Sequence, residues 1–122
     1  KIYKAKIQKK PSIKLWGTGK PKRELIYVDD LADACIFFLK KKTKETLINI
    51  GSGKDKTINE YAKFIMKELK VDLGLIYDTK KPDGTPRKVM DISVAKKYGW
   101  SPKISLKEGF SKVIQSYLKK YE

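Results

Sequence analysis

Two arginines stand among 29 basic residues, and both lie in loops built from Gly and Pro. Arg23 closes the run Trp16-Gly17-Thr18-Gly19-Lys20-Pro21-Lys22-Arg23. Arg87 lies in Lys81-Pro82-Asp83-Gly84-Thr85-Pro86-Arg87-Lys88. Pro lacks a backbone donor and fixes φ, while Gly supplies the turn, so these stretches are shaped loops rather than helix or central strand. A guanidinium offers a planar fork of donors for phosphate, and an ammonium adds a compact charge. The chemistry on offer is anion recognition, with Asp83 and Trp16 displayed beside the cations. The first loop also reads as a plain hairpin turn, with Trp16 in the core and Arg23 in solvent. Its two glycines lack the third of a dinucleotide fingerprint.

Covalent and acid–base chemistry is poorly served. The sequence has no His, which removes imidazole bases and the Ser/His and Cys/His nucleophile pairs. A single Cys without His leaves no zinc ligand set, and no metal site is expected. Tyr77 has Lys81 four residues on, but that pair runs from a strand into a Pro-bearing loop and would not share a helical face. No catalytic or cofactor-binding residue is assigned, and binding is the expected role. Asp29, Asp30 and Asp33 fall at the start of a helix, where acids favour the helix dipole, and Asp29 or Asp30 can serve as N-cap.

These loops need a frame. The 122 residues suffice for one domain with a modest core, expected to span residues 1–122, and 40% hydrophobic content is that of a globular chain. Residues 1–10 read as a helix stopped by Pro11, and the start at Lys1 without Met reads as a piece of a longer protein. Ser12–Trp16, Leu25–Val28, Leu47–Ile50 and Gly74–Tyr77 read as strands. Leu31, Ala34, Cys35, Phe38 and Leu39 share one helical face, which Ile36 and Phe37 widen, predicting a helix buried on two sides with Cys35 inside. Gly51-Ser52-Gly53 reads as a connection with unusual backbone angles. Thr57-Ile58-Asn59-Glu60 is a capping box that opens a helix with Ile58, Tyr61, Ala62, Ile65, Met66 and Leu69 as its core stripe. A short helix over Val94–Tyr98 stops at Gly99. A second box at Ser105–Glu108 opens a last helix with Leu106, Phe110, Val113, Ile114, Tyr117, Leu118 and Tyr121 inward. The result is a mixed α/β fold of short strands and about five helices.

The net charge of +15 raises the question of nucleic acid. Lys supplies almost all of it and falls on the polar faces of helices. Arg, the better reader of phosphates and bases, is nearly absent, and no zinc-finger spacing or aromatic RNA-binding motif occurs. Weak, salt-sensitive, non-specific binding is expected at this charge, without a specific nucleic-acid partner. No apolar run approaches 18 residues, so no membrane span or membrane partner is expected. The lone cysteine excludes a disulfide framework and favours a reducing compartment, the cytoplasm.

The motifs resemble a known family. Trp16 through Ala34 is similar to a segment of the extended short-chain dehydrogenase/reductases acting on nucleotide sugars. Ile48-Asn49-Ile50-Gly51-Ser52-Gly53 with Thr57-Ile58 and Glu60 supports that superfamily. Lys81–Lys88 with Val89-Met90-Asp91 is similar to the signature of the GDP-L-fucose synthase family, the GDP-4-keto-6-deoxymannose epimerase-reductases. Gly99-Trp100, Pro102 and Ile104-Ser105-Leu106 with Glu108-Gly109 match its ending. The resemblance implies the C-terminal, substrate-binding part of an enzyme whose NADP-binding Rossmann half and catalytic set would lie upstream. This part would hold no cofactor and would be inactive alone. The whole enzyme would epimerise GDP-4-keto-6-deoxy-D-mannose and reduce it with NADPH to GDP-L-fucose, as a homodimer. By the same resemblance Arg23 would contact the GDP diphosphate, Trp16 would line the substrate pocket, and Asp83 and Lys88 would contact the nucleotide sugar. Lys1 takes a position where the family has a basic substrate contact. The alternatives are another NAD(P)-dependent nucleotide-sugar epimerase or dehydratase and, from a different class, a basic nucleic-acid module.

Overall fold

Local signals explain most of the helices. The computed structural model describes residues 1–121. Helix α1 (Ile2–Ile7) and strands β1 (Ser12–Trp16) and β2 (Lys22–Glu24) lead into α2 (Val28–Lys40). Then come β3 (Asp55–Thr57), α3 (Ile58–Glu68), β4 (Gly74–Asp78) and the two-residue β5 (Arg87–Lys88). Helices α4 (Ser93–Lys97) and α5 (Leu106–Tyr121) complete the described chain. This is the mixed α/β pattern of short strands and five helices that the sequence predicts. The side chain of Tyr121, read as part of the last apolar stripe, lies outside the described residues.

The chain forms two compact units. One comprises residues 1–23 and 56–88, the other residues 24–55 and the chain from 89 onward. In the first unit β1 and β4 pair in parallel, with Ile13 opposite Leu75 and Leu15 opposite Tyr77. Helix α3 begins at the predicted capping box: Thr57 Oγ1 accepts from the Glu60 amide at 3.0 Å, and the Glu60 carboxylate accepts from the Thr57 amide at 2.7 Å. These bonds, the Thr57 amide foremost, hold the Glu60 carboxyl below its usual range. Tyr61, Ala62 and Met66 from α3, with Leu69 and Leu73, meet Ile13 and the Ile2 and Ala5 of α1 in a small core. Burying a side chain of the size of Met66 supplies about 1.5–3 kcal/mol. Lys6 Nζ donates to the Leu69 carbonyl at 2.7 Å, where α3 has run out of internal donors. The second sheet has the order β3-β2-β5, with β2 and β5 parallel.

The other unit is built on Ala34, Ala95 and Trp100, against which Ile26, Phe37, Phe38, Ile48 and Ile50 pack. The acids of α2 are structural clamps here. Asp30 is buried, and its two oxygens accept from the amides of Lys103 at 3.0 Å and Ile104 at 2.9 Å. Asp33 accepts from the Trp100 indole N–H at 3.0 Å and pairs with Lys103 at 3.2 Å. The indole bond, then Lys103, holds the Asp33 carboxyl below its usual range. Neither Asp29 nor Asp30 is the N-cap, which is Tyr27 without a side-chain bond; both acids lie in the first turn, where they favour the dipole.

Further expectations need correction. Leu25–Val28 is not a strand: β2 ends at Glu24 and Val28 already begins α2. Leu47–Ile50 has strand propensity but no assigned ladder, and Ile48 and Ile50 serve the core instead. Helix α2 is not buried on two sides, because Ile36 is 54% and Leu39 86% exposed. Cys35 is likewise exposed. The small Ala34 lets one face close onto Ala95 and Trp100, and no comparable layer covers the other face among the described residues. At the second capping box only half forms: the Glu108 amide donates to Ser105 Oγ at 3.2 Å, while the Glu108 carboxylate pairs with Lys112 one turn on.

Candidate functional site

All five sequence-assigned residues, Lys1, Trp16, Arg23, Asp83 and Lys88, fall in the first unit. Trp16 ends β1, where its backbone is fixed opposite Asp78 of β4. Its ring is 65% exposed, so the reading of a core tryptophan in a plain hairpin does not hold. Two ammonium groups approach that ring, Lys1 Nζ at 5.4 Å and Lys81 Nζ at 5.7 Å from the centroid. Lys1 also reaches the Lys14 carbonyl at 3.5 Å. Lys81 is held by its own amide, which donates to the Asp78 carbonyl at 3.1 Å at the end of β4.

The two Gly/Pro loops meet beside Trp16. Asp83 Oδ1 accepts from the Thr18 amide at 2.6 Å, and Oδ2 accepts from the Thr18 hydroxyl at 2.7 Å. The Thr18 amide above all, then its hydroxyl, holds the Asp83 carboxyl below the usual carboxylate range; Lys20 and Arg23 add positive charge nearby. Gly17 lies so close to this carboxylate that a Cβ there would overlap it, and its φ of +70° belongs to glycine. Farther along, Arg23 Nη1 donates to the carbonyls of Lys22 and Thr85, each at 2.7 Å. The Tyr61 hydroxyl donates to the Arg23 carbonyl at 2.9 Å. In the ladder Arg23 stands opposite Lys88, and the Lys22 amide donates to the Pro86 carbonyl at 2.8 Å. Register partners lie on the same face of a sheet, so Arg23 and Lys88 are neighbours across the ladder.

Sequence reading thus singled out the cations but missed their supports. Thr18, Thr85 and Tyr61 act through bonds to residues 38 to 65 positions away, which no local pattern reveals. The Gly51-Ser52-Gly53 connection, in the second unit, also proves to hold an anion of the chain's own. Glu24 accepts from the amides of Gly53 and Met90 and from the Ser52 hydroxyl, and a side chain at Gly51 would collide with it. That turn is therefore filled by a carboxylate. A groove of about 570 Å³ lined by Lys63, Met66, Val71, Leu73 and Tyr77 includes none of the five assigned residues.

Residues 1–51 match the family model described as the NAD dependent epimerase/dehydratase family. GDP-L-fucose synthase 1 of Arabidopsis thaliana is 44% identical over 119 residues, which are 98% of this chain and 37% of that protein. Among solved structures, a GDP-6-OMe-4-keto-L-xylo-heptose reductase from C. jejuni aligns with a TM-score of 0.78 at 36% identity, over 91% of this chain and 35% of that one. UDP-glucose 4-epimerase from Thermotoga maritima, solved with UDP-glucose, aligns with a TM-score of 0.82 at 28% identity, over 91% of this chain and 36% of that one. The chain spans little more than a third of the length of these relatives. Along nearly all of its length this chain is similar in sequence to a segment of a GDP-L-fucose synthase and shares its fold with the matching segments of nucleotide-sugar reductases and epimerases, and its first 51 residues match the NAD dependent epimerase/dehydratase family.

Proposed function

We propose that the chain is the nucleotide-sugar-binding, C-terminal part of a GDP-L-fucose synthase and that its ligand is a GDP-sugar. The observations that carry this reading are two cationic pairs, Lys1 and Lys81 at the ring of an exposed Trp16, and Arg23 opposite Lys88 on β2 and β5. Guanidinium and ammonium groups suit a diphosphate, and a carboxylate such as Asp83 suits sugar or base hydroxyl and amino donors. The whole enzyme would convert GDP-4-keto-6-deoxy-D-mannose to GDP-L-fucose by epimerisation and reduction with NADPH bound in its other half. It would do so as a cytoplasmic homodimer. This chain alone would carry no cofactor and no catalytic centre.

Intrinsic fluorescence tests the reading. Trp100 is 2% exposed, so quenching by added nucleotide reports chiefly on Trp16. GDP should quench in a saturable way, and Trp16→Phe should abolish the signal. Equal quenching by UDP would favour a UDP-sugar epimerase, a reading supported by the fold shared with the UDP-glucose 4-epimerase. No response to either nucleotide would count against both.

A further inference from the structure

We propose that Tyr77 is a positioning residue for the loop between Trp16 and Arg23: its ring closes over Gly19, and its hydroxyl, donating to Asn59 Oδ1, locks that ring and the turn beneath it onto the first turn of α3. That Trp16 and Arg23 serve a nucleotide sugar rests on the function proposed above; the lock itself does not. Every residue involved belongs to the first unit. Trp16 and Arg23 stand on different sheets, Trp16 at the end of β1 and Arg23 within β2. Each is fixed in its own ladder, so the connections between the ladders set one residue against the other. The first connection is backbone. The amides of Ile58 and Asn59, at the start of α3, donate to the carbonyls of Pro21 and Gly19, each at 3.0 Å. The orphan donors of that helix start are therefore spent on this loop. The second is Tyr77, from the β4 partner of β1, whose hydroxyl reaches Asn59 at 2.7 Å across 18 positions of sequence. It ties the sheet of Trp16 to the helix that follows β3 in the sheet of Arg23. Gly19 is buried under the tyrosine: a Cβ there would lie 2.7 Å from Tyr77 Cε1, and its φ is +72°. The ring occupies space that only glycine leaves, and it forms the wall against which the turn rests. Tyr77 is 38% exposed, so the bond contributes modestly. Its effect is to narrow the loop arrangements from which a ligand would otherwise have to select.

The test is NMR on the 122-residue chain, free and with GDP. In the free parent, the Gly19 α-protons should show nuclear Overhauser effects to the Tyr77 ring and an upfield ring-current shift. Tyr77→Phe and Asn59→Ala each remove the hydroxyl bond and should weaken both signals, while the Met66 and Leu73 methyl shifts of the core stay in place. Asn59→Asp keeps an oxygen acceptor and should behave as the parent. GDP affinity should fall roughly threefold in either weakening variant and no further in the two combined, since both remove one bond. Unchanged Gly19 signals in Tyr77→Phe and Asn59→Ala overturn the lock. Weakened Gly19 signals with parental GDP affinity overturn the positioning role, and additive losses in the double variant overturn the tie between the two residues. If the parent binds no GDP, weakened Gly19 signals in the variants still support the lock, and the failure belongs to the nucleotide-sugar reading.

Discussion

Gly17 and Asp83 are two halves of one constraint. At φ +70° an L side chain is strained, and the added methyl would displace the carboxylate that Thr18 holds. Gly17→Ala should therefore cost roughly 1–3 kcal/mol in chemical denaturation. A variant as stable as the parent would contradict this. The Asp83 carboxyl titrates lower in the folded chain than in the unfolded one, because Thr18 donates to its charged form. Its contribution is complete above the ordinary carboxylate range and is lost as pH falls through the depressed folded value. An NMR titration of the Thr18 amide should thus show its inflection below the usual range of an aspartate, and an inflection within or above that range would contradict the clamp. The candidate cations were legible because Arg is so rare in a Lys-rich chain and both copies lie in Gly/Pro loops. Their supports were not, since Thr18, Thr85 and Tyr61 are ordinary residues whose meaning depends on distant partners.

Among the elements, the helices were legible and the strands less so. A capping box and an apolar stripe are local, and α3 starts where Thr57 and Glu60 put it. Removing that cap in Thr57→Ala should cost about 1 kcal/mol, read as a lowered denaturation midpoint. An unchanged midpoint would mean that packing of Tyr61, Ala62 and Met66 alone fixes the helix. Asp30 carries more, because it satisfies two backbone amides from a buried position. Asp30→Ala leaves those donors unmet and should destabilise the second unit by roughly 2–4 kcal/mol, with faster amide exchange at Lys103 and Ile104. Strands need partners that propensity does not supply. Leu47–Ile50 has the composition but no ladder, whereas charged Arg87–Lys88, hidden behind two prolines, gains one from β2.

At the scale of the whole molecule, a charge of +15 does not choose between a diphosphate and a nucleic-acid backbone. The distribution favours the smaller ligand, since the arginines, Trp16 and Asp83 are gathered on paired loops while lysines cover the helices. Oligonucleotide binding should be weak, independent of sequence and steeply reduced by salt. The most direct test is an amide NMR titration of the chain with GDP, UDP and a short oligonucleotide at moderate salt. The account predicts that GDP selectively shifts Trp16, Arg23 and the 81–88 loop, with UDP weaker and the oligonucleotide causing only diffuse changes over lysine-rich surfaces. Diffuse shifts of the same kind with all three ligands would contradict it and leave charge alone as the source of binding.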